Sequence, residues 1–130
     1  MPISHYVDRT RGRDILFVTR SGTIDTQDES LAFQERDADS SIVPGIPVIV
    51  DCSGVDPTDS AEVVRYIVRY SIQLAQRLSC GPLAIVVNSD VECGMARMYQ
   101  EMTEPVQANT EVFCSAQEAI DWLNSQIKEG

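Results

Sequence analysis

The chain has 130 residues, which suits one domain and leaves no room for two independent cores. At this size folding buries roughly 65–70% of the unfolded surface, so no stapling by disulfides or metal is required. Twenty acidic residues against ten basic ones give a formal charge of −10, which disfavours nucleic acid and anionic lipid as partners.

Ile3 to Arg9 and Asp14 to Arg20 read as two strands joined through Arg11-Gly12, close enough to pair as an antiparallel hairpin. Arg9, Arg11 and Arg13, flanked by Asp8 and Asp14, read as its charged tip. Ile15-Leu16-Phe17-Val18 is apolar on both faces, which predicts an internal strand, and Ser21-Gly22 is expected to break it. A polar helix is predicted from Thr26 to Ala38, with Leu31, Ala32 and Phe33 as a narrow apolar stripe. Its acidic residues (Asp25, Asp28, Glu29, Glu35, Asp37 and Asp39) read as a solvated face.

Pro44-Gly45-Ile46-Pro47 interrupts the chain before Val48-Ile49-Val50, a β-branched run typical of a strand buried on both sides. From about Asp59 to Leu78 the residues Val64, Ile67, Val68, Ser71, Leu74, Ala75 and Leu78 recur at helical spacing. Gly81-Pro82 stops that helix, and Leu83 to Val87 forms a second buried strand. Ser89 and Glu92 have capping-box spacing and open a helix running to about Met102. Glu111 to Cys114 is a last short strand, and Ser115 with Glu118 repeats the capping-box spacing before a terminal helix carrying Ala119, Ile120, Leu123 and Ile127. Trp122 falls beside that stripe and is expected to keep part of its ring exposed. The order β-β-α-β-α-β-α-β-α predicts a single α/β domain over residues 1–130, an open mixed sheet of about five strands flanked by about four helices.

Signatures of catalysis are missing. The chain contains no G-x-x-x-x-G-K-[ST] loop, no G-x-G-x-x-G and no G-x-S-x-G elbow. His5 is the lone histidine, and Cys52, Cys80, Cys93 and Cys114 show neither a C-x-x-C pair nor a zinc-ligand spacing. Reduced, buried thiols are the plain reading, and no metal or cofactor is expected. No Lys/Arg-led apolar segment opens the chain, and no apolar run approaches the ~20 residues of a membrane span. A cytoplasmic protein without an integral membrane segment is expected.

In open α/β sheets ligands gather at the carboxyl ends of the strands. Asp51, Cys52 and Ser53 follow one buried strand there, and Asn88, Ser89 and Asp90 follow the other. Asp51, Ser53, Asp59, Glu62, Asn88 and Ser89 are the candidate binding rim. Its acidity weakens a phosphate cradle and favours a partner bearing Arg or Lys. Met95, Met98 and Met102 lie at helical spacing, which reads as core packing or as an apolar groove.

The segment Val48-Ile49-Val50-Asp51-Cys52-Ser53-Gly54-Val55, followed by Asp59-Ser60, resembles the signature of the STAS domain, named for sulfate transporters and anti-sigma-factor antagonists. The phrases Gly94-Met95-Ala96-Arg97-Met98-Tyr99, Val112-Phe113 and Glu118-Ala119-Ile120-Asp121-Trp122-Leu123 resemble the subgroup of small bacterial proteins called SpoIIAA-like or STAS/SEC14. In antagonist members the serine after the motif's Asp is phosphorylated by a partner kinase; the resemblance puts that role on Ser60. Glu62 stands where the family has glycine, which sets an acid beside any phosphate and suggests a vestigial switch. Asp59 and Glu62 also have capping-box spacing, so the plainer reading of the stretch is a helix start.

The resemblance implies a non-enzymatic regulatory or protein-interaction module. Its partner would be a protein with a basic contact surface, anti-sigma-factor-like by resemblance, with a homodimer left open. The alternative is a SEC14-like binder of a small apolar, lipid-like ligand at Met95, Met98 and Met102. An enzyme would need an acid–base pair that the sequence does not display.

Overall fold

A computed structural model describes residues 2–9, 14–55, 81–87, 90–103 and 109–129. The first hairpin forms as its pattern requires, from β1 (Ile3–Asp8) and β2 (Ile15–Gly22). Then come α1 (Thr26–Ala38), β3 (Val48–Val55), β4 (Leu83–Val86), α2 (Asp90–Thr103), β5 (Thr110–Phe113) and α3 (Ala116–Glu129). These are five strands and three helices among the described residues; the helix expected from Asp59 to Leu78 lies outside them.

The sheet order is β1-β2-β3-β4-β5. β1 is antiparallel to β2, and the other neighbours are parallel, so the sheet is mixed. Arg9 and Asp14 close the base of the hairpin with Nε and Oδ2 3.8 Å apart; Arg11 and Arg13 lie outside the described residues. Because successive strand residues face opposite sides, the apolar runs of β2, β3 and β4 feed two cores at once. Leu16, Val18, Val48 and Val50 pack toward Ile24 and Ala32 around α1, while Leu83, Ile85 and Val87 of the same face meet Ala96 of α2. On the other face Ile15, Ile49, Ala84 and Val86 receive Ala119 and Leu123 of α3. Leu123 is fully buried, which stabilises the fold by about 1.5–3 kcal/mol.

Local signals set the helix ends. Asp25 caps α1 by accepting the Asp28 N–H at 2.8 Å, and Asp28 returns the bond to the Asp25 N–H at 3.1 Å. The hydroxyl oxygen of Ser115 accepts the Glu118 N–H at 3.4 Å at the start of α3. Trp122 is half-buried, tilted against Phe113 with centroids 5.7 Å apart.

One expectation about α1 is corrected. Its buried stripe is Glu29, Ala32, Phe33 and Arg36, spaced i, i+3, i+4, i+7, while Leu31 is exposed. Glu29 is not part of a solvated face: it is fully buried and ion-paired with Arg20 of β2, itself 8% exposed. Arg36 places its guanidinium 4.5 Å from the centroid of the Phe33 ring, so its charge rests on an aromatic face. The buried face of α1 thus carries two apolar side chains and two charged ones.

Candidate functional site

Connectivity brings the carboxyl ends of β2, β3 and β4 and the N-termini of α1 and α2 to one edge of the sheet. Residues 23–25 alone separate β2 from α1, and residues 87–89 alone separate β4 from α2. The parallel pairing of Val48–Asp51 with Leu83–Val86 makes β3 and β4 leave on the same side, as the sequence implied.

The two long strands extend further than expected. β2 does not break at Ser21-Gly22; these residues pair with Gly54 and Val55, so β3 runs on past Val50. Gly22 then turns the chain toward α1 at φ 70, a conformation a residue without a Cβ adopts freely. Asp51, Cys52 and Ser53 are therefore strand residues rather than loop residues. Thr19 pairs with Asp51 and Ser21 with Gly54, which leaves Cys52 and Ser53 together opposite Arg20, two residues against one. Such a bulge bends the strand and re-aims its side chains. Asp51 stands opposite Val86, the last residue of β4, so β3 projects beyond its neighbour as a ledge.

Asp51 and Ser53 are half-buried and bound to each other. Oδ1 of Asp51 accepts the Ser53 N–H at 2.9 Å and the Ser53 hydroxyl at 2.6 Å. The same pair of distances recurs where Oδ1 of Asp39 accepts from the N–H and hydroxyl of Ser41. An Asp-x-Ser unit is thus a local lock that this chain uses twice, and it directs the Ser53 proton to a carboxylate two residues away. No histidine serves that serine: His5 lies on β1 with Nε2 2.9 Å from Oδ2 of Asp39. Asp39 is held at about 2, below the usual 3.8, by the Ser41 hydroxyl first, then by His5 and the Ser41 N–H. This cluster ties β1 to the C-terminal cap of α1.

Among the described residues, the start of α1 offers an anion little. The capping box of Asp25 and Asp28 already occupies N–H groups at the start of α1 with carboxylates. Asp59, Ser60, Glu62, Asn88 and Ser89 lie outside the described residues. Among the described residues no three His, Cys, Asp or Glu side chains gather as a metal would require, and no helix is long and apolar enough to cross a membrane.

Met98 and Met102 do not join this ledge. α2 runs away from it, and its sheet-facing line passes through Cys93 and Ala96. At about 100° per residue, Met98 and Met102 fall on the side turned from that line. Met98 is half-buried and Met102 is 41% exposed, so neither is a core residue under the sheet; the side chain of Met95 lies outside the described residues. Gln100, on the sheet-facing line, donates to the Thr110 carbonyl at 2.6 Å and fastens α2 to β5.

Sequence reasoning missed the Arg20–Glu29 pair and the His5–Asp39 contact. The spacing of residues 29, 32, 33 and 36 did signal the first, because it puts Glu29 and Arg36 on the Ala32–Phe33 face. No signal announces the second: its partners are 34 residues apart.

No protein-family model matches the chain, and no curated protein matches it. Among solved structures it is similar to an uncharacterized protein of the DUF3478 family with a SpoIIAA-like fold from Shewanella loihica PV-4. The two are 17% identical, the alignment covers 93% of each chain, and the TM-score is 0.65. At that identity the likeness concerns the fold: the chain has a SpoIIAA-like, mixed α/β fold.

Proposed function

We propose that the chain is a non-enzymatic, STAS-like interaction module of the cytoplasm, and that it docks a protein with a basic contact surface at the carboxyl edge of its parallel strands. The observation that carries this reading is the ledge itself. β3 projects there past β4, its Asp51–Ser53 lock presents a rigid polar surface, and the adjacent helix start is filled by its own acids. Asp59, Ser60 and Glu62 follow that strand in sequence, and Asn88 and Ser89 follow β4. A formal charge of −10 adds attraction for a cationic partner.

A regulatory role resembling that of anti-sigma-factor antagonists, with Ser60 as the switch residue, is the finer form of the proposal. With its hydroxyl held by Asp51 and His5 bound to Asp39, Ser53 suits a binding role better than a catalytic one.

The test is chemical cross-linking of the purified chain in extract of its host, followed by mapping of the linked residues. The expected outcome is a basic partner joined through residues 51–62, with binding weakened by Ser53→Arg and by added salt. Links confined to other faces, or binding indifferent to Ser53→Arg, would overturn the placement. The exposed Met102 favours one rival, an apolar-ligand carrier. A lipid retained in native mass spectrometry and lost in Met98→Ser/Met102→Ser would decide for that rival.

A further inference from the structure

Two of the thiols border one apolar cluster where the proposed docking surface joins the core. Cys52 lies in the bulge of β3, on the face that Val50 shares with Leu83, Ile85 and Val87. Cys93 lies in the first turn of α2, one turn before Ala96 and on the same helix face. Both pack against the single cluster of Leu83, Ile85, Val87 and Ala96, one from the sheet and one from the helix above it. Both stand at its carboxyl edge, since Cys52 follows Asp51 opposite the end of β4, and α2 begins just past that end. Each is half-buried, open enough for a small oxidant to reach. Cys114 follows β5 and is exposed, outside this cluster.

We infer that Cys52 and Cys93 are a redox pair, closed to an intramolecular disulfide by hydrogen peroxide. In the first step one thiol, as its thiolate, attacks a peroxide oxygen. The O–O bond breaks, hydroxide leaves and takes up the thiol proton as water, and the sulfur becomes a sulfenic acid. In the second step the other thiolate attacks that sulfur. The S–O bond breaks, a second water leaves, and the S–S bond forms. Two thiols are oxidised by two electrons in total, and one peroxide is reduced to two waters. The bond would pin the first turn of α2 to the projecting end of β3. The Gln100–Thr110 bond anchors α2 about two turns later. The inference does not rest on the proposed docking role, as it is read on the sulfur atoms themselves.

The test is peroxide treatment of the folded chain, with intact mass, thiol titration and non-reducing peptide mapping. The expected result is a fall from four titratable thiols to two, a mass lower by two hydrogens, and one linked pair of peptides holding Cys52 and Cys93, reversed by dithiothreitol. Cys80→Ser/Cys114→Ser should still close the bond, whereas Cys52→Ser and Cys93→Ser should each abolish it. The same treatment in urea should close it far more slowly, because proximity comes from the fold. A bond to Cys80 or Cys114, oxygen added to single thiols with no bridge in Cys80→Ser/Cys114→Ser, or equal rates in folded and unfolded chain would overturn the inference.

Discussion

Replacing Glu29 with Gln separates a buried charge pair from a solvated acidic face. Glu29 is fully buried and Arg20 is 8% exposed, so the substitution keeps the shape and leaves one guanidinium in the interior without its counter-charge. Breaking one side of a buried pair costs about 3–5 kcal/mol. The amide can still accept a bond from Arg20, which places the expected loss near the lower end of that range. A domain of this size has about 5–15 kcal/mol in total, so the variant folds but loses a large share of its margin. The corresponding drop in Tm is about 10–18 °C for the full range. Glu35→Gln on the exposed side of α1 is the control, expected to change stability by no more than about 0.5 kcal/mol. Glu29→Leu/Arg20→Met removes both charges together and should recover most of the loss, because desolvation of the pair disappears with it. Urea denaturation followed by circular dichroism reads all four proteins, and a constant m-value confirms that stability alone has changed. If Glu29→Gln matches Glu35→Gln, α1 is not seated by this pair and the account of its packing fails.

Asp39 gives a pH dependence of defined sign. Its folded value of about 2 is below the usual 3.8, so the folded state prefers the ionised form; the resulting stabilisation is complete above about pH 4 and is lost as pH falls through about 2. Asp39→Asn should flatten the stability profile across that acid window, and an unchanged slope would rule out the Ser41 and His5 contacts as its cause. At the opposite edge of the sheet, Gly81→Ala should destabilise the fold by about 1–3 kcal/mol, since an added Cβ would stand 2.5 Å from the Ile46 carbonyl oxygen and nearer still to that of Gly45. Both obstacles are backbone, so a variant with unaltered Tm would mean that this stretch yields more readily than its packing suggests.

Much of the fold is legible along the chain because its determinants are local. Val48-Ile49-Val50 and Leu83 to Val87 could satisfy their β-branched and aliphatic faces only inside a sheet, and they do so as parallel neighbours. Ser115 announces a helix start through its bond to Glu118, three positions on, whereas the Asp25 cap emerged only in the structure. The limits of β2 and β3 were less legible. Each strand continues beyond its apolar run because the other continues beside it, and pairing across Ser21–Gly54 is a property of two segments together.

The candidate site divides in the same way. Residue type and order by themselves determined the alternation of strands and helices, the Ser115 cap, and the arrival of Asp51 and Ser53 at the carboxyl edge of the sheet. Tertiary structure alone decided that Arg20 is the partner of Glu29, that His5 reaches Asp39, that Arg20 faces a bulge, and that Cys52 and Cys93 share one cluster. Hydrophobic pattern and capping act over a few bonds and are written in neighbouring residues. A charge or a thiol is bound by whatever the fold sets against it, and that partner comes from a distant part of the chain.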